Sequence, residues 1–244
     1  MIEHRLRHLT NRLMFSRFLV AAAIASAPLG TISAQASRDL LAIDASKLTT
    51  INVTASRVQY RGRDAMKVVG REPTNVPAGG SFNTIAILPG TDFRDGVIEA
   101  DIAGAPRAGA DTSARGFVGI AFRVDSSGDR YAGFYIRPTN GRALDQLRRN
   151  HATQYISEPD YPWYRLRKEQ PGVYESYVDL EPGAWTPIRI EVRQGVAQLF
   201  VNGTKQPALI ISDMKSPPAA GRIALWIDKD TEAHFSRLRV TPSH

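Results

Sequence analysis

The chain has no cysteine. That absence excludes disulfides, thiol catalysis and thiolate-held zinc, so the fold must be held by its core alone. Histidine is scarce, five in 244 residues, and no histidine stands at a metal-ligand spacing from carboxylates. The acidic turn Asp125–Asp129 lacks the pattern of a calcium loop. No metal and no cofactor is expected. Helical periodicity is nearly missing, and no apolar run after the N-terminus approaches the roughly 20 residues that cross a bilayer. What is present is an ordinary globular composition, 43% hydrophobic and 23% charged.

The N-terminus reads as a bacterial signal peptide. Arg5, Arg7, Arg12 and Arg17 precede an apolar stretch from Phe18 to Ala27, closed by Pro28 and Gly30, and Ala34-Gln35-Ala36 offers a small-x-small cleavage site. The expected organisation is a leader over 1–36 and one domain over 37–244, located in the periplasm or secreted. The formal charge of +7 shrinks when four arginines and Glu3 leave with the leader. The remaining excess is too small to imply nucleic acid. Basic residues set among turns rather than on an amphipathic helix give no membrane-surface signal either, so no integral membrane contact is expected after cleavage. Oligomeric state is not legible.

After Ser37 the chain is a series of short alternating or β-rich runs separated by Gly, Pro, Asn and Asp. The clearest are 65–69, 82–88, 96–102, 116–124, 131–137, 186–193, 196–201, 221–228 and 233–240. Only Arg142–Asn150 reads as a helical turn or two. In the run ending at Val124, the residues Val118, Ile120, Phe122 and Val124 make one apolar face, with Gly119, Ala121 and Arg123 opposite. In the next run Ala132, Phe134 and Ile136 oppose Tyr131, Tyr135 and Arg137. Small residues on the outward face leave room for a ligand or for a neighbouring loop. Ser126-Ser127-Gly128-Asp129, Gln194-Gly195 and Asn202-Gly203 supply turns. The pattern predicts an all-β antiparallel sandwich.

Four segments carry a family likeness: Trp185-Thr186-Pro187-Ile188-Arg189-Ile190, Ala197-Gln198-Leu199-Phe200-Val201-Asn202-Gly203, Gly221-Arg222-Ile223-Ala224-Leu225-Trp226, and Phe235-Ser236-Arg237-Leu238-Arg239-Val240. With Phe93-Arg94-Asp95-Gly96-Val97-Ile98-Glu99-Ala100-Asp101-Ile102 upstream, the chain resembles the concanavalin A-like lectin/glucanase superfamily, including its laminin G-like and 3-keto-disaccharide hydrolase-type branches. The resemblance implies a jelly-roll β-sandwich and, as partner, a carbohydrate ligand on one sheet face or its rim loops. It implies no single activity, because that fold hosts binders and enzymes alike.

Glu99-Ala100-Asp101 resembles the start of a laminarinase-type Glu-x-Asp-x-x-Glu motif, but position 104 is Gly104, so the second carboxylate of a retaining glycosidase is missing. The pair reads more simply as a solvated strand face. The segment from Arg137 to Lys168 holds seven basic residues against Asp145, Glu158 and Asp160, interleaved with aromatics. Arg, Asn and Gln bond sugar hydroxyls, Arg clamps carboxylates, and aromatic rings stack on sugar faces. Candidate ligand-binding residues here are Arg137, Asn140, Arg148, Asn150, His151 and Tyr155, followed by Trp163, Tyr164 and Arg165. Arg123 and Tyr135 join them from the outward faces of two strands, and Trp226 from a strand whose Ile223, Leu225 and Ile227 face inward. His151 with Tyr155 also suggests a proton-transfer pair.

These residues point to an exported lectin-like domain, with an anionic glycan among its expected ligands. A glycan hydrolase or lyase at the same groove, and a protein-interaction module of laminin G-like type, remain open beside it. Arg137→Ala or Trp163→Ala is expected to weaken binding without unfolding. N-terminal sequencing of the protein recovered from an exporting host is expected to begin at Ser37, and a chain retaining Met1 would oppose the leader.

Overall fold

Short β-branched and aromatic runs joined by left-handed turn residues favour antiparallel pairing between neighbours. The computed structural model describes residues 39–42, 44–71, 83–215 and 219–243. The expected leader and its cleavage site, Phe82 and the loop around Pro217 lie outside the described residues.

Fourteen strands form among the described residues, in two sheets of seven. The first sheet runs, in spatial order, β1 (Thr49–Ile51), β4 (Ile85–Ile87), β13 (Arg222–Ile227), β6 (Val118–Val124), β7 (Tyr131–Ile136), β8 (Thr153–Glu158) and β9 (Glu175–Ser176). The second runs β12 (Leu209–Ile211), β11 (Val196–Val201), β10 (Thr186–Arg193), β5 (Gly96–Pro106), β14 (Thr231–Pro242), β3 (Arg63–Gly70) and β2 (Val53–Tyr60). All pairings are antiparallel. The protein is an antiparallel jelly-roll β-sandwich.

Between the sheets lies the main core, which takes Val118, Ile120 and Phe122 from β6, Ala132, Phe134 and Ile136 from β7, and Ile98 and Ile102 from β5. Val124 departs from the expected alternation. Arg123 adopts a left-handed φ of 54°, and the pairing of β6 with β13 shifts register there. This bulge turns Val124 to the other side, where it joins Ile85, Ile87, Tyr131 and Tyr135 in a smaller apolar cluster. Arg123 itself is drawn away from any ligand, donating to the Arg94 carbonyl at 2.8 Å and to Asp95 at 2.9 Å.

One row of residues crosses the whole first sheet on its outward face. The register aligns Ile51, Ile85, Trp226, Gly119, Tyr135, Gln154 and Glu175 strand by strand, and directly paired residues point the same way. Trp226 and Tyr135 sit on strands separated by β6, about 10 Å apart in backbone, yet their rings stack at 4.5 Å. They meet over Gly119. A Cβ there would lie 2.1 Å from the Phe134 carbonyl oxygen and 2.5 Å from the Tyr135 Cβ. Thus the space that small residues leave on this face is filled by the sheet's own rings. Phe117, just before β6, adds a third ring, stacked against Tyr135 at 5.2 Å.

Two expectations change in the segment after β7. It contains β8, buried on both faces, and a second short helix. Helix α1 (Gln146–Asn150) is capped by Asp145, whose carboxylate accepts from the Arg148 amide at 2.6 Å. Helix α2 (Trp163–Glu169) buries only Leu166, too little to write a helical period into the sequence. An Arg165–Glu169 pair at 2.7 Å supports it instead.

On the outer face of the second sheet His234 lies flat on Tyr60 at 3.6 Å. Burial, against the opposing pull of Glu232, lowers its pKa from 6.5 to about 4. The unfolded chain therefore binds a proton that the folded one refuses, and stability falls as pH drops through that window. His234→Phe keeps the stack and is expected to flatten the loss of stability between pH 6.5 and about 4, read from urea unfolding at a series of pH values.

Candidate functional site

At the β9 end of the cross-sheet row the outward face turns polar, and the segments around β8 gather there. Two adjoining hollows of about 530 and 560 Å³ share Leu147, His151 and Arg167 and form one groove. Its size suits a small ligand. The floor is built on Glu175, a carboxylate whose side chain is only 4% exposed. Arg167 grips it with Nη2 at 2.7 Å and Nε at 3.1 Å, His151 Nε2 approaches at 3.1 Å, and Arg137 Nη1 stands 3.9 Å away.

Arg137 follows β7 directly, and its guanidinium is spent on the scaffold. It donates to the His151 carbonyl at 2.8 Å, the Tyr135 hydroxyl at 2.8 Å and Gln154 Oε1 at 3.0 Å. It also lies 4.9 Å from the Tyr135 ring centre and 5.0 Å from that of Phe117. Removing it would take the donor from the Tyr135 hydroxyl and Gln154 Oε1, while the His151 carbonyl would keep Asn140 Nδ2 at 3.1 Å. The expectation that Arg137→Ala spares the fold therefore fails on geometry, since this side chain is 4% exposed.

Arg148 and Arg115 differ from it. Arg148 donates to Asn140 Oδ1 at 2.9 Å and to the Thr139 carbonyl and hydroxyl at 3.0 Å. Arg115 donates only to the Thr112 and Ala114 carbonyls. Both line the groove, and among the described residues neither has a carboxylate within ion-pair distance. Burial, reinforced by the neighbouring Arg148 charge, lowers the Arg115 pKa. Two like charges held together over neutral acceptors make a seat for an anion. Trp163 stands beside them, 39% exposed, with the Arg167 guanidinium 4.8 Å from its ring centre.

Burial lowers the pKa of His151, outweighing the Glu175 charge that would raise it. Burial thus favours the neutral form of the imidazole. With Nε2–H given to Glu175, Nδ1 is left to accept a proton.

Among the residues expected from sequence, the groove brings together Arg137, Asn140, Arg148, Asn150, His151 and Trp163. Tyr164 packs edge-on to Trp163, and Tyr135 and Trp226 lie under the adjoining face in the stack. Tyr155 is 0% exposed within the main core, against Phe134 and Tyr174, so it is no partner for His151. Arg165 points to Glu169 and the Asp160 carbonyl. Arg115, Phe117 and Glu175 were not singled out from sequence, and Arg167 was counted only among the basic residues of the Arg137–Lys168 segment. Asp101 on the second sheet pairs with Arg63 at 2.6 Å and Arg237 at 3.3 Å, while Glu99 beside it is exposed. Neither belongs to the groove.

No family profile and no curated protein matches the chain. Solved structures do. The carbohydrate-binding module CBM66 from Bacillus subtilis aligns over 79% of this chain and 93% of its own, with 14% identity and a TM-score of 0.51. A protein of unknown function with a galectin-like fold from Bacillus subtilis aligns over 80% and 89%, with 12% identity and a TM-score of 0.48. A galectin from Caenorhabditis elegans aligns over 67% and 92%, with 16% identity and a TM-score of 0.37. At such identity the likeness to CBM66 shows a shared sandwich fold.

Glu175→Gln leaves Arg167 and Arg137 without their anion, and is expected to cost about 2–4 kcal/mol in urea unfolding. Because the Glu175 charge raises the His151 pKa, the same variant should move the His151 titration midpoint, followed by NMR, further down.

Proposed function

We propose that this chain is an exported, lectin-like carbohydrate-binding domain, periplasmic or secreted, whose groove takes an anionic glycan. The observation that carries this reading is the pair Arg115 and Arg148, free of carboxylate partners and set beside the exposed face of Trp163. A uronate carboxylate or a sulfate supplies the missing charge, and Asn140 and His151 offer hydrogen bonds to hydroxyls. The basic leader and cleavage pattern support export, and the sandwich shared with a carbohydrate-binding module supports a sugar ligand. The groove lies at the sheet margin because the Trp226–Tyr135–Phe117 stack occupies the middle.

A second reading is favoured by His151. A neutral imidazole oriented by a buried carboxylate, close to arginines, has the parts of a uronate lyase. Nδ1 would take the proton beside the sugar carboxylate while an arginine stabilises the charge that develops there.

Calorimetry with uronic-acid trisaccharides separates these readings when products are followed in parallel. Binding without new unsaturated ends supports the lectin reading, and unsaturated ends that vanish in His151→Ala support the lyase. Arg115→Ala, which loses only two neighbouring carbonyl contacts, is expected to weaken binding by about 10-fold or more without changing the melting temperature, the loss typical of a charge-assisted contact. Binding should also weaken as salt rises. Silence toward both uronate and sulfated oligosaccharides would sink the reading and leave the laminin G-like interaction module in its place.

A further inference from the structure

The large apolar side chains left in solvent are not scattered. Seven are exposed among the described residues, and six of them fall between Leu144 and Tyr177, with Ile210 the exception. Leu147 and Trp163 line the first hollow, and Leu147 and Tyr177 the second. Leu144, Tyr164 and Val173 are chain neighbours of the lining residues Asp145, Trp163 and Gly172. Leu144 is fully exposed and Leu147 is 67% exposed.

The fold does not explain these leucines. Helix α1 buries no residue at all, so Leu147 contributes nothing to the core. A bare saccharide explains only part of the rim, since flat rings serve sugar faces but aliphatic branches do not bond hydroxyls. Exposed apolar side chains gathered along one stretch of surface mark a binding site, and the groove they flank holds Arg115 and Arg148, neither of them in an ion pair among the described residues. Charge opposes a second copy here, because self-pairing would bring Arg115 and Arg148 against their like. Anion seat and apolar rim together match one kind of molecule, with an acidic head and a hydrocarbon attachment.

We propose that the ligand is an anionic saccharide bearing an acyl or alkyl group, with the acidic sugar in the groove and the apolar group on the rim of Leu144, Leu147, Val173 and Tyr177. This rests on the anionic-glycan reading above and narrows it.

The test compares three probes by calorimetry on the full chain, all below their micellar concentrations: a uronic-acid trisaccharide methyl glycoside, its octyl glycoside and octyl maltoside. The octyl uronate is expected to bind at least about 10-fold tighter than the methyl uronate, a gain that burial of a few methylenes supplies. Leu144→Ser/Val173→Ser, which replaces no groove-lining residue, should erase most of that gain and leave the methyl uronate affinity alone. Equal affinity for the two uronates overturns this inference while the anionic-glycan reading stands. Failure of both uronates to bind defeats that reading and this one together, and octyl maltoside binding as tightly as octyl uronate shows an apolar surface without an anion seat. Binding to phosphatidylglycerol vesicles that the double variant abolishes, with no octyl preference in solution, makes the rim a membrane contact and likewise overturns the proposal. So does a concentration-dependent dimer that the double variant dissolves.

Discussion

A carboxylate taken out of water must be met by cations, and in this sandwich that carboxylate is Glu175. Its burial fixes Arg167 in the second short helix, sets the imidazole of His151 and pulls toward Arg137. Arg137 in turn closes the gap between β7 and β8 by bonding the Tyr135 hydroxyl, Gln154 and the His151 carbonyl. The end of β7, the turn after α1 and helix α2 are therefore tied to β9 through one anion, and the groove exists where they converge. An isolated buried ion pair contributes little net stability compared with apolar packing. What this arrangement supplies is position, since each cation has few places to go.

Position matters because the centre of the sheet is closed. The rings of Trp226, Tyr135 and Phe117 stack across the outward face, and the Trp226 indole donates to the Tyr131 hydroxyl at 3.1 Å. The face thus grades from isoleucines at β1 and β4, through aromatic rings, to Gln154 and Glu175 at the β9 edge. Polarity rises along the row, and the cleft opens where charge can be satisfied by side chains rather than covered by rings. Arginine joins the two regimes: its planar group covers aromatic surface and its edge donates to the polar network.

Much of the sandwich was legible in the sequence because its strands alternate. The runs at 96–102, 116–124, 131–137, 186–193 and 196–201 carry one apolar face each, and Gly128 and Gly195 mark two of the turns that join them. Other elements were not. β8 is buried on both faces, so Thr153 and Gln154 sit inside through side-chain hydrogen bonds instead of showing the period of a half-buried strand. β2 is an edge strand that is mostly exposed and carries little apolar signal, although Arg61-Gly62 after it has the left-handed φ values of a tight hairpin turn. Val124 was misassigned to the inner face because a bulge adds a residue that alternation cannot anticipate. In the groove, composition pointed to the Arg137–Lys168 segment that lines much of it, yet Tyr155 lay one step along β8 from Gln154 and so faced the opposite side. Glu175 was invisible in sequence, since nothing local in Val173-Tyr174-Glu175-Ser176 says that two arginines and an imidazole will converge on it.

The bare backbone at Gly119 has a consequence for descent. Trp226 and Tyr135 come from strands on either side of it, but what a side chain at that position would strike is the neighbouring strand itself, the Phe134 carbonyl oxygen and the Tyr135 Cα and Cβ. A relative that has acquired a methyl group in place of the Gly119 hydrogen must therefore have moved β7 against β6. Exchange of either ring leaves that obstacle standing, so glycine should outlast the aromatic pair in the lineage.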